Sequence, residues 1–103
     1  MKLWIDDVRI PPIGYCWVQS VNMAKNLIEQ IEEREDLGYT GVELIDIDHD
    51  AGEFATNGGD YIKLLDWLEE TGRNYPIRIH SMNPVGVASM RAIIQKNGWE
   101  EIK

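Results

Sequence analysis

Cysteine is nearly missing. Cys16 is the only one in the chain, so no intrachain disulfide can form, and a free, partly buried thiol in a reducing compartment is expected. Basic residues are also short: 10 lysines and arginines face 18 aspartates and glutamates. The resulting formal charge of −8 repels nucleic-acid backbones at long range. Duplex DNA is therefore not an expected partner, whereas a small nucleotide or an RNA end in a cation-neutralised pocket is compatible with that charge. No apolar run approaches the roughly 18 residues of a membrane span. The opening run Met1-Lys2-Leu3-Trp4-Ile5 stops at Asp6-Asp7, too short for the apolar region of a secretory leader, and the cytoplasm is the expected location. There is no repeat and no low-complexity stretch. One domain over residues 1–103 is expected, since a chain this short buries roughly 60–65% of its unfolded surface, enough for one core.

What is present alternates. Lys2 to Ile5 reads as a buried strand. Residues 8–16 hold Pro11, Pro12 and Gly14, which exclude a helix. Trp17-Val18 reads as a very short strand. Ser20 is an N-cap for a helix with Val21, Ala24, Leu27, Ile28 and Ile31 on its apolar side, ending before Gly38. Val42 to Ile47 is the next strand. Asn57-Gly58-Gly59 is a turn, and Asp60 is placed to cap a helix carrying Tyr61, Ile62, Leu64, Leu65 and Leu68 up to Gly72. Pro76 to Ile79 is a strand. Asn83 and Pro84 start a last helix, which runs through Val87, Met90 and Ile94 to Gly98. Trp99 to Ile102 reads as an edge strand. Strands alternating with helices give an α/β fold with a mostly parallel sheet and right-handed crossovers.

Ligands in such sheets bind beyond the carboxyl ends of the strands. Three polar clusters follow strands directly: Asp6-Asp7, Asp48-His49-Asp50 and His80-Ser81-Met82-Asn83. The fold gathers them on one rim. Up to four carboxylates there, from Asp6, Asp7, Asp48 and Asp50, repel one another unless a proton or cation intervenes. Oxygen-rich, thiol-free ligation suits Mg²⁺ or Mn²⁺. The bland alternative is that each acid caps a turn or a helix start, which is the preferred reading for Asp60. Asp46 alternates away from Ile47, and its side is left open. His49 and His80 are the only histidines and both fall at this rim, where an imidazole can serve as general acid or base. Ser81 can donate a hydrogen bond to a phosphoryl oxygen; no base-activated serine motif surrounds it. Asn83 at a helix start suits an anion, and Arg9 can contact phosphate. Trp4, Trp17, Trp67 and Trp99 are assigned to packing, in preference to a base-stacking surface for Trp17 and Trp99.

Four segments together resemble a known family: Leu3-Trp4-Ile5-Asp6-Asp7-Val8-Arg9 with Pro11-Pro12, Ile47-Asp48-His49-Asp50-Ala51-Gly52, Thr56-x-Gly58-x-Asp60, and His80-Ser81-Met82-Asn83-Pro84-Val85-Gly86. They are similar to the cyclic-phosphate-processing receiver-like domain, a relative of the receivers of two-component response regulators. The resemblance implies a small three-layer, flavodoxin-like domain. Its parallel sheet would have about five strands with helices on both faces, the first and last receiver helices being lost. It also implies that Asp6 and Asp7 match the Mg²⁺-binding acidic pair, that Asp48 matches the phospho-acceptor and that Ser81 matches the Ser/Thr switch. His49, Asp50, His80 and Asn83 belong to the enzyme-like family. The chain departs from a true receiver in its Pro11-Pro12 loop and in lacking a lysine-proline pair after the last strand, which argues against phosphorelay. Ala51 stands where the family would have a larger apolar residue.

The expected function is a metal-assisted phosphoesterase acting on a cyclic phosphate of a nucleotide or RNA end. Asp6, Asp7, Asp48 and Asp50 would hold Mg²⁺ or Mn²⁺. His80, His49, Asp48 and Ser81 would carry the chemistry, and Asn83 and Arg9 would touch substrate. The alternative is a non-catalytic, receiver-derived module that binds a partner or small ligand.

Overall fold

The computed structural model describes residues 1–103. Strands β1 (Lys2–Ile5), β2 (Tyr15–Val18), β3 (Leu44–Ile47) and β4 (Ile77–Ile79) form one parallel sheet in the order β2-β1-β3-β4. Helices α1 (Val21–Glu35), α2 (Ile62–Glu70) and α3 (Pro84–Asn97) alternate with the later strands, and a short 3-10 helix spans Gly52–Asn57. No helix is long and apolar enough to cross a membrane.

Register sorts the strand residues into two unlike faces. Leu3 lies beside Cys16 and Ile45, Ile5 beside Val18 and Ile47, and Ile45 beside Ile77. That face is wholly apolar. Leu3, Ile5, Ile45, Ile47 and Ile77 pack into one core with Ala24 and Ile28 of α1, Leu64, Leu65 and Leu68 of α2, and Met90 and Ile94 of α3. Each such Leu or Ile contributes about 1.5–3 kcal/mol relative to exposure, so this face holds the two layers together. On the other face Trp4 lies beside Trp17 and Asp46, and Asp46 beside Arg78.

The connections explain why one face lacks helices. From β2 to β3 and from β3 to β4 the chain moves in one direction across the sheet, and right-handed crossovers put α1 and α2 on the same side. Helix α3 joins them by packing against α2. From β1 to β2 the chain moves the other way. Its connection is the proline loop, which reaches the Trp4 face by accepting a hydrogen bond from Trp4 Nε1 at the carbonyl of Arg9, 2.9 Å away.

The α/β class and the parallel sheet agree with expectation; some details differ. The sheet has four strands rather than about five, because Trp99–Ile102 makes only the isolated parallel bridge between Ile77 and Glu101. All three helices share one face, so the layers number two rather than three. Trp99 is in the core as expected, but Trp17 is 38% exposed on the helix-free face and is not a core residue. Asp60 does not cap α2. Its Oδ1 accepts from the N–H of Ala51, and Tyr61 stands at the cap position. Ser20 does cap α1, accepting from Met23 N–H at 3.1 Å, and Asn83 caps α3, accepting from Gly86 N–H at 3.1 Å.

One ion pair ties α1 to the turn after α2. Arg73 forks onto Glu32 through Nε and Nη2 at 2.9 and 2.8 Å, and Tyr75 Oη donates to the same carboxylate. Arg73, working against partial burial and with help from Tyr75, holds Glu32 below the ordinary glutamate range. A depressed carboxyl stabilises the fold above its unfolded value, and that contribution disappears as pH falls through the folded value. Glu32→Gln is therefore expected to cost about 1 kcal/mol at neutral pH. As pH falls below the ordinary glutamate value of about 4.3 and on through the lower folded value, the variant and the parent should converge. Thermal melts from about pH 7 to about pH 2 check this; a gap that stays constant over the whole range would exclude an electrostatic origin.

Candidate functional site

The ladder runs one residue past β1, β3 and β4. The N–H of Asp6 donates to Val18 O, that of Asp48 to Ile5 O, and that of His80 to Ile47 O. These bonds fix the first polar residue after β1, β3 and β4 on one edge. The strand order reverses direction between β1 and β3, so Asp6 and Asp48 flank the switch point where α/β sheets open a crevice.

Three side chains converge there. One carboxylate oxygen each from Asp6 and Asp48 and one ring nitrogen of His80 lie within 4.8 Å of one another, close enough to hold a metal ion. Asp6 is fully buried. Its Oδ1 accepts from the N–H groups of Val8 and Arg9 at 3.0 and 2.9 Å, and its Oδ2 lies 2.9 Å from His80 Nε2. Burial works against its charge, but those two N–H groups and His80 outweigh it and hold the carboxyl below the ordinary aspartate range. Asp48 Oδ1 accepts from His49 N–H at 2.7 Å. The donor set fits a divalent cation: two hard oxygens, one of them held in its charged form, and one imidazole.

The other expected residues stand around this triad. Asp7 is raised above the ordinary range, first by burial and then by the charges of Asp6 and Asp48, so it lies in their field; it is not one of the three converging ligands. Its Oδ2 lies against Gly52, where a Cβ would come within 2.3 Å. Asp50 also stands outside the triad. It is exposed and turns its Oδ1 to His49 Nδ1 at 2.9 Å. Asn83 Nδ2 approaches the same nitrogen at 3.5 Å, which leaves His49 Nε2 with no partner in the protein. Ser81 Oγ accepts from Asn83 N–H at 3.1 Å and keeps its O–H free to donate. Arg9 Nη1 donates to the carbonyl of His80 at 3.0 Å, pinning the proline loop to the β4 end.

Sequence reasoning missed what lies behind His80. The ring stacks flat on Trp4, with centroids 3.8 Å apart and planes 4° from parallel. Its Nδ1 lies 2.7 Å from Oδ1 of Asp46, a carboxylate with no exposed surface, and Arg78 Nη1 donates to Asp46 Oδ2 at 3.0 Å. Trp4, Asp46 and Arg78 are cross-strand neighbours on the helix-free face. An available signal was the pair of opposite charges set in the middle of two short apolar strands. Two hollows of the surface, about 390 and 530 Å³, flank α1 and include none of the triad.

A family model described as the cyclic-phosphate processing receiver domain matches residues 1–96. No curated protein and no solved structure gives a significant match.

Proposed function

The chain belongs to the cyclic-phosphate processing receiver family, and from that premise we propose that it is a metal-assisted phosphoesterase acting on a cyclic phosphate of a nucleotide or an RNA end. The observation that carries this reading is the convergence of Asp6, Asp48 and His80 at the switch point of the sheet. When bound, a divalent cation supplies Lewis-acid polarisation and offsets phosphate charge. The reading gives the two histidines different work. His80 is 7% exposed with both nitrogens against carboxylates, which suits a ligand. His49 donates from Nδ1 to Asp50, so its unpartnered Nε2 is the nitrogen that takes a proton from water or a hydroxyl, or returns one to the leaving oxygen. The Ser81 hydroxyl, free to donate, supplies a hydrogen bond to developing phosphate charge.

Incubation with 2′,3′- and 3′,5′-cyclic nucleotides and with RNA ending in a cyclic phosphate, in Mg²⁺ or Mn²⁺, tests the proposal. Turnover of at least one substrate is expected, and none with any of them would reject it. A second reading, a non-catalytic binding module, draws on the helix-free face, where Trp17 is exposed at 38% and the proline loop exposes Val8, Ile10 and Ile13.

Cation binding has its own expected result. Millimolar Mn²⁺ should raise the melting temperature, since a ligand at one hundred times its dissociation constant stabilises by about 2.7 kcal/mol. Asp6→Asn combined with Asp48→Asn should abolish the rise. A melting curve that ignores Mn²⁺ and Mg²⁺ would count against the site.

A further inference from the structure

We propose that Asp46 is the positioning residue of the site: held by Arg78, with Trp4 stacked on the imidazole, it keeps a proton on Nδ1 of His80 and so presents Nε2 to Asp6 and Asp48. The inference rests on the metal-site reading above but names residues that reading does not use.

A ring in a rim site can rotate about its χ angles and can carry its single neutral-state proton on either nitrogen. Here both freedoms are removed. The indole of Trp4 lies parallel to the imidazole at 3.8 Å and sets its plane. Asp46 Oδ1 at 2.7 Å from Nδ1 sets its rotation within that plane. Asp46 cannot turn away, because its second oxygen is held by Arg78 at 3.0 Å and its side chain is fully enclosed. A carboxylate accepts and never donates, so Nδ1 must carry the proton. Nε2 then faces Asp6 at 2.9 Å. A cation held by Asp6 and Asp48 would meet the lone pair of Nε2, with Nδ1–H kept on Asp46. Carboxylates behind metal-binding histidines act in this way, and losing one typically lowers affinity about 10–100-fold.

The location supports a dedicated role. Asp46 occupies the centre of the helix-free face, where a fully buried carboxylate has no packing purpose and is costly unless paired. Its two bonded neighbours are His80 and Arg78, and Trp4 lies beside it in β1.

Asp46→Asn is nearly isosteric and replaces an obligate acceptor by an amide that can donate to Nδ1, favouring the opposite tautomer. The experiment measures Mn²⁺ affinity by calorimetry, and the protonation of His80 Nδ1 by long-range ¹H–¹⁵N spectra of the cation-free protein. The expected result is a 10–100-fold loss of Mn²⁺ affinity and loss of the protonated Nδ1 signal, with circular dichroism unchanged. A variant that binds Mn²⁺ as the parent does, or keeps its Nδ1 proton, overturns the inference; a purely structural Asp46 would move the melting temperature and neither readout. Should the variant fail to fold, the wild-type spectrum decides: a bare Nδ1 with the proton on Nε2 overturns the proposal, and a protonated Nδ1 supports it. Neither readout is turnover, so an inactive protein that still shows both effects would reject the phosphoesterase reading and leave this one standing.

Discussion

His49→Ala is expected to lower turnover of the accepted cyclic phosphate by about 10²–10⁴-fold, the usual worth of positioned general acid–base help. The expectation follows from how the ring is held. Asp50 Oδ1 accepts from Nδ1 at 2.9 Å, which leaves Nε2 without a partner in the protein. Alanine removes that nitrogen and leaves Asp6, Asp48 and His80 untouched, so Mn²⁺ affinity should stay within a factor of two or so of the parent value. The ring lies at the rim, outside the hydrophobic core, and its loss should cost about 1 kcal/mol or less. His80→Ala should behave differently and lose cation affinity together with activity. The pairing of turnover with calorimetry is what separates the two. A folded His49→Ala protein with parental turnover would remove the proton-transfer role from His49. Equal losses of Mn²⁺ affinity in both variants would show that the histidines do not divide the work.

Local chemistry made much of this molecule readable in the sequence. Apolar runs ending at Asp6, Asp48 and His80 marked the strand ends, because polar side chains there break the apolar pattern that packs the sheet. Ser20 and Asn83-Pro84 marked the starts of α1 and α3, because caps satisfy N–H groups that nothing else reaches. What stayed hidden depends on register and on layers. The fate of Trp99–Ile102 turned on a single bridge to Ile77. The absence of helices on the Trp4 face followed from the handedness of crossovers, which needs the strand order. Trp17 looked like packing because its face was assumed to be covered. Asp46 illustrates the limit best. The alternation of β3 put it opposite the core, and only the pairing of Asp46 with Arg78, and of both with the ring after β4, showed that this face builds the back of the site.

Gly86→Ala should reproduce most of the His49→Ala defect without touching a polar group. Gly86 is the third residue of α3, buried, with no positive φ that would require glycine. By propensity alone alanine would strengthen the helix by about 1 kcal/mol. The reason for glycine is contact. A Cβ at this position would come within 2.4 Å of His49 Cγ, 2.5 Å of Cδ2 and 2.9 Å of Nδ1. These atoms sit at the base of a rigid ring, so the imidazole cannot fold a flexible end aside and must swing as a whole. Swinging breaks the Asp50 contact that orients it. Overpacking typically costs about 1–3 kcal/mol, partly offset by the helix gain, so the melting temperature should move little. Turnover should fall by about 10²-fold or more, while Mn²⁺ affinity holds because the atoms nearest an added Cβ all belong to His49. The check is turnover, calorimetry and a melting curve on the one variant, with ring-to-backbone nuclear Overhauser contacts reporting where His49 lies. A protein with parental turnover and its His49 ring still against residue 86 would show that the close approach has no part in the chemistry.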